Sequence, residues 1–138
     1  MHLPAEIYAT VLAMMPIPCV DLLVVDPDNR VLLVERRNVP ARGAWWFPGG
    51  RVHRDELRAT AARRKLAEEC GLVPTSAREL GTFDILLPEA HAISTVFELR
   101  VETTEVRLDA QSSRFAWRSR AAWLATALHP FVASVLQL

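Results

Sequence analysis

The sequence predicts a single α/β domain, residues 1–138, built as a mixed β-sheet covered by helices on both faces. Three observations predict it. A length of 138 residues with 51% hydrophobic and 23% charged side chains suits one globular core and excludes a multidomain assembly or a disordered chain. β-rich apolar runs and helical stretches alternate irregularly along the chain. The longest helical stretch, 55–70, contains no Gly or Pro and lies between two groups of strand-like runs.

The elements follow in order. Pro4 opens a helix over AEIYATVLAMM, and Pro16 and Pro18 end it. CVDLLVVD is β-rich, with one acid, Asp21, among apolar neighbours. Pro27, Asp28 and Asn29 supply turn residues before a second strand, RVLLVERR, so the two runs read as a hairpin. Residues 38–50 carry two prolines and three glycines and form a loop around a short aromatic strand. Alternation in that strand sends one of Trp45 and Trp46 to the core and leaves the other free to stack on a base. Residues 55–70 form a helix stopped by Gly71. ELGTFDILL, ISTVFELRVET and SRFAWRS are strands, the first two separated at Pro88. The end of the chain reads as a helix, a break near Pro130 and a second helix.

Sixteen basic and sixteen acidic groups cancel overall but not locally. Residues 30–65 hold ten basic and three acidic groups, a surplus of +7 that the remaining residues offset. Fifteen of the sixteen basic residues are Arg, and Lys65 is the one Lys. Either this stretch is a cationic wall for an anionic ligand, since Arg recognises phosphate in a bidentate way, or the composition is simply Arg-rich. No basic stripe interleaved with aromatics is present, so a nucleic-acid partner is not expected. The apolar run 7–20 is broken by two prolines and is shorter than the roughly 20 residues that cross a bilayer, so neither a signal peptide nor a membrane anchor is expected. Cys19 and Cys70 lack metal-ligand spacing and read as free thiols of a cytoplasmic protein.

The informative segment is GRVHRDELRATAARRKLAEECGL, residues 50–72. A glycine turn followed by a helix bearing Glu56, Glu68 and Glu69 places hard oxygen ligands beside a loop, as a divalent ion bridging diphosphate oxygens requires. Glu68 and Glu69 are about 100° apart on a helix, and Glu56 joins them only if the loop folds back. Composition alone also fits a solvated face carrying the pairs Arg64–Glu68 and Lys65–Glu69 at i, i+4 spacing.

The spacing is more specific. Gly50, Glu56, Arg64, Leu66, Glu68, Glu69, Gly71 and Leu72 fall at eight of the nine defined positions of the Nudix box, and the segment resembles that family. The resemblance implies an αβα sandwich, a divalent ion (Mg²⁺, or Mn²⁺) and a substrate in which a nucleoside diphosphate is linked to another group. The ninth position, usually a glutamate that serves as base or metal ligand, is Lys65 here. An ammonium neither ligates Mg²⁺ nor accepts a proton.

The stretches LPAEIYATVLAMMPIPCVDLLV and RRNVPARGAWWFPGGRV, and again LDAQSSRFAW, resemble the GDP-mannose mannosyl hydrolase branch, which also lacks that glutamate. That resemblance implies release of the sugar by attack at the anomeric carbon. It gives Asp21, Arg36, Arg51 and Arg64 as catalytic residues, the first three also binding substrate. It gives Gly50, Glu69 and Gln111 as metal ligands, and Glu68, absent in parts of that branch, is an additional candidate ligand in this sequence. Strand alternation directs only one of Arg36 and Arg37 to the site, and the resemblance favours Arg36. Asp21 is either an arginine-orienting group of the site or simply a buried arginine partner. The branch's basic histidine is Ser112 here, and a hydroxyl is no base unaided. His53, His91 and Asp109 are the replacements to consider.

Three functions follow: a nucleoside diphosphate sugar hydrolase releasing free sugar, a Nudix pyrophosphatase cutting P–O–P, and a nucleotide-sugar-binding module that has lost turnover. The apolar helix with Ile7, Val11, Leu12, Met14 and Met15 fits the homodimer that the resemblance implies, and equally fits packing on its own domain.

Overall fold

The computed structural model describes residues 3–38 and 41–138. Helix α1 spans Ala5–Met14, and strand β1, Ile17–Val25, follows directly. Asn29, in the left-handed region at φ 60°, turns the chain into β2, Val31–Arg36, and Val25 pairs with Val31 as the hairpin signal requires.

Two short strands come next, β3 over Trp45–Trp46 and β4 over Gly49–Arg51. Helix α2 spans Arg58–Cys70 and ends at Gly71, whose φ of 68° is the left-handed cap expected there. It begins later than the Gly- and Pro-free stretch predicts. Asp55 sits at φ 65° and the Glu56 carboxylate accepts from the His53 amide at 3.0 Å, so residues 55–57 form a loop. Glu56 is therefore not a helical residue.

Strands β5, Ser76–Leu87, and β6, Ala90–Arg100, form an antiparallel hairpin around Pro88, with a bulge between Glu79 and Gly81. Strand β7 spans Ser112–Arg118, and helices α3, Arg120–Leu124, and α4, Pro130–Leu136, follow.

All seven strands join one mixed sheet. β6 lies parallel to β1 along its whole length, so β2 and β4 share the other edge of β1. β7 likewise occupies one edge of β2, leaving the other to β1 and β3. β1 and β2 thus diverge from their turn, and β3 and β4 fill the wedge between them. The site forms at this wedge.

Alternation along β1 assigns the two cores. Val20, Leu22 and Val24 face α2 through Ala61, Ala62, Leu66 and Cys70. Leu23 and Val25 face the opposite layer with Trp46, Phe47, Trp123 and the α4 residues Phe131, Val132 and Val135. Trp46 is the core tryptophan, whereas Trp45 is half-buried against Trp123, with the Arg114 guanidinium 4.9 Å from its ring centre. Helix α1 buries none of its residues and leaves Ile7 and Met14 exposed, and Met15 just after it is exposed as well. Among the described residues no helix is long and apolar enough to cross a membrane. Cys19 and Cys70 are free thiols, and burial pushes both up to about 12.

Candidate active site

The site is assembled where β4 closes on β1. Cys19, Val20 and Asp21 pair with Arg51, Gly50 and Gly49. A Cβ on Gly49 would lie 2.2 Å from the Val20 carbonyl oxygen, so only glycine permits this approach. β4 then runs beneath the last turns of α2, where the charged residues of the box lie.

Arg64 organises the entrance. Its Nε and Nη2 donate to the two oxygens of Glu56 at 2.6 and 2.9 Å, Nη1 donates to Glu68 at 3.1 Å, and Nη2 also reaches the Arg51 carbonyl at 3.0 Å. The loop does fold back, but it brings Glu56 to Arg64 rather than to Glu68 and Glu69. The Arg64 guanidinium holds the Glu56 carboxyl down at about 2. Arg64 thereby ties α2 to the backbone of β4, which is a positioning role.

At the next position, Lys65 Nζ lies 2.8 Å from Glu69 Oε2 and 3.6 Å from Glu68 Oε2. Glu69 is buried, and its other oxygen faces the Gly49 amide at 3.5 Å. Burial raises its pKa, against the opposing charge of Lys65. Burial also acts to raise Glu68, but Lys65 and Arg64 outweigh it and hold that carboxyl below its ordinary value.

These groups surround a cavity of about 210 Å³ that Arg36, Gly49, Gly50, Arg51, His53 and Gln111 complete, with Tyr8 and Leu3 reaching in from the N-terminal segment. Its lining carries Arg36, Arg51, Arg64 and Lys65 against Glu68 and Glu69, and with the Glu56 carboxylate held on Arg64 the surplus is +1. Such a lining attracts an anion. Seven of the eight expected site residues, Gly50, Arg36, Arg51, Arg64, Glu68, Glu69 and Gln111, therefore converge. Arg36 lines the cavity and Arg37 does not, as strand alternation requires.

Asp21 is the exception. It points from β1 to the other face of the sheet and lines an adjoining cavity of about 90 Å³ with Cys19 and Trp46. Tyr8, Arg36, Gly49, Gly50 and Arg51 border both spaces. Trp46 Nε1 donates to Asp21 Oδ1 at 3.0 Å, and Ser94 donates to Oδ2. Burial nevertheless raises Asp21 to about 6, although both hydrogen bonds and the charge of Arg36 work against the rise.

Of the three replacement bases, His53 lines the charged cavity, whereas His91 lines a separate space under α1 and the β5–β6 turn. Asp109 accepts from the Gln111 amide at 2.9 Å and lies outside the cavity lining. Slight burial and the nearby Arg64 charge hold His53 below the usual imidazole value, which favours the neutral ring. Ser112 is buried in the β2–β7 ladder opposite Arg36. Sequence reasoning overlooked Tyr8 and Gly49. The first is the one tyrosine of the chain and the second half of a glycine doublet after Pro48, the only signals either residue offers.

A model of the NUDIX domain matches residues 15–138. The chain belongs to the Nudix family. It is 32% identical over 121 residues to the low-salt glycan biosynthesis protein Agl8 of Haloferax volcanii, a match covering 82% of this chain and 77% of that protein. It is 35% identical over 96 residues to an ADP-ribose pyrophosphatase of Methanocaldococcus jannaschii, covering 67% of this chain and 57% of that one. The NUDIX domain of Shewanella oneidensis NrtR, solved with ADP ribose, superposes with a TM-score of 0.78 at 23% identity, over 98% of this chain and 96% of that one, a likeness of fold.

Nudix hydrolases generally use divalent ions such as Mg²⁺. The residues here do not fit a divalent ion held by the protein alone. Lys65 engages Glu69, Lys65 and Arg64 neutralise Glu68, and the Gln111 amide oxygen accepts from Asn38 at 2.9 Å. Among the described residues no group of three His, Cys, Asp or Glu is placed to hold a metal.

Proposed function

We propose that this Nudix protein hydrolyses a nucleoside diphosphate sugar of the GDP-mannose kind, releasing nucleoside diphosphate and free sugar. The observation that carries the reading is the cation-rich cavity with Lys65 at the box position where a glutamate base is expected. Attack of water on phosphorus calls for a base at the diphosphate. Departure of an intact diphosphate calls instead for cations around it, which Arg36 and Arg51 supply without proton transfer. Water adds to the anomeric carbon as the bond from that carbon to the diphosphate oxygen breaks. The oxygen leaves with the electron pair, and His53 takes the proton from the attacking water. The name of the glycan biosynthesis relative is consistent with a sugar nucleotide.

Incubation with GDP-mannose in H₂¹⁸O, with Mg²⁺, with Mn²⁺ and with a chelator, tests this. GDP and mannose labelled at its anomeric oxygen are expected. GMP and mannose 1-phosphate would establish the second reading, P–O–P cleavage, which the 35% identity to an ADP-ribose pyrophosphatase favours. Tight binding with no product would leave the binding module. The exposed Ile7 and Met14 of α1, with Met15 just after it, support a homodimer, for which light scattering should return twice the chain mass of 15.5 kDa.

A further inference from the structure

We propose that Lys65 is a tethered cation: its ammonium, anchored on Glu69, contacts the diphosphate of the substrate and replaces a protein-held divalent ion, so that the diphosphate binds without metal. The inference rests on the reading of the charged cavity as a diphosphate site.

Three features of the geometry carry it. The lysine stem lies across Gly50, where a Cβ would come within 2.7 Å of Lys65 Cε and 3.1 Å of Nζ, so the absent side chain of residue 50 makes the room in which the lysine is laid down. The side chain is only 14% exposed, yet it lines the cavity beside Arg36 and Arg51. An ammonium has three donors. Glu69 takes one at 2.8 Å, while Glu68, at 3.6 Å, is beyond ordinary hydrogen-bond distance.

An ordinary buried ion pair is neutral and attracts nothing. Here the pair sits among groups whose surplus, with Glu56 counted on Arg64, is +1, so the ammonium both compensates the buried carboxylate and leaves the cavity positive. A divalent ion would have to displace Nζ from Glu69 and enter a positive space. A diphosphate meets the reverse situation, with Lys65, Arg36 and Arg51 converging on it from α2, β2 and β4.

Titration of the full chain with inorganic pyrophosphate by calorimetry, in EDTA and in excess Mg²⁺, tests the inference independently of base, sugar and bond cleaved. The native protein is expected to bind in EDTA within fivefold of its affinity in Mg²⁺. The K65M/E69Q variant, which removes both charges of the pair, should bind at least tenfold more weakly in EDTA. K65E should bind only when Mg²⁺ is supplied. A native affinity that falls more than fivefold in EDTA, absence of binding in both media, or K65M/E69Q binding as tightly as the native chain would each overturn the proposal. Should the variants fail to fold, the native comparison decides alone. Product analysis of GDP-mannose tests the reaction, so either claim can fail while the other stands.

Discussion

Replacing Asp21 with asparagine removes a buried charge while leaving both of its hydrogen bonds satisfiable. The amide oxygen still accepts from Trp46 Nε1, and Ser94 Oγ can turn to accept from the new amide nitrogen. In the native protein burial raises Asp21 from 3.8 to about 6. The folded state therefore binds a proton that the unfolded chain releases, and this stabilising term is full below about 3.8 and is lost as pH rises through about 6. About two units at 1.36 kcal/mol each give a full span of about 3 kcal/mol, of which about 1.4 kcal/mol falls between pH 8 and pH 5. With a urea slope of about 1–3 kcal/mol per molar, the native midpoint should rise by roughly 0.5–1.4 M more than that of D21N on going from pH 8 to pH 5. Urea unfolding followed by tryptophan fluorescence at both pH values measures the difference, and other titrating groups cancel between the two proteins. Parallel pH dependence of the native chain and D21N would refute the argument that burial, rather than hydrogen bonding, governs this carboxyl.

Other expectations concern the same wedge. Arg64→Ala leaves Glu56 without its guanidinium and frees α2 from the Arg51 carbonyl, and should cost about 2–4 kcal/mol in urea unfolding at pH 7. Glu56 is depressed to about 2, so its contribution is present above about 4.5 and is lost as pH falls through about 2. E56Q should accordingly show a shallower loss of stability across that acid range, measured by circular dichroism. Gly49→Ala puts a carbon 2.2 Å from the Val20 carbonyl oxygen, and should destabilise by more than about 2 kcal/mol or abolish soluble accumulation.

Much of the fold was legible because local rules and tertiary demand agree. The prolines after α1, the turn at 27–29 and the cap at Gly71 mark real boundaries. The start of α2 was misplaced, since nothing in the composition of residues 55–57 marks them as loop. Their state follows from the Glu56 contacts to His53 and Arg64, groups that the loop itself brings together. In the site, the box spacing brought out Glu68, Glu69, Arg64 and Gly50, because one helix and the short strand β4 that precedes it carry them all. Arg36, Arg51 and Gln111 come from other strands and the loop before β7, and only the resemblance to a known branch pointed to them.

By itself the sequence determined the mixed α/β class, the helix that carries the charged residues and the substitution of Lys65 into the box. These depend on periodicity, stop signals and spacing, which are properties of neighbours in the chain. Only the tertiary structure decided what the charges do. It engaged Arg64 with Glu56, laid Lys65 across Gly50 onto Glu69, chose His53 over His91 as the histidine at the cavity and turned Asp21 to the opposite face of the sheet. The physical reason is that a side chain's charge, burial and reach are set by what packs against it from distant segments, and here β3 and β4 wedge between two strands that diverge from a single turn.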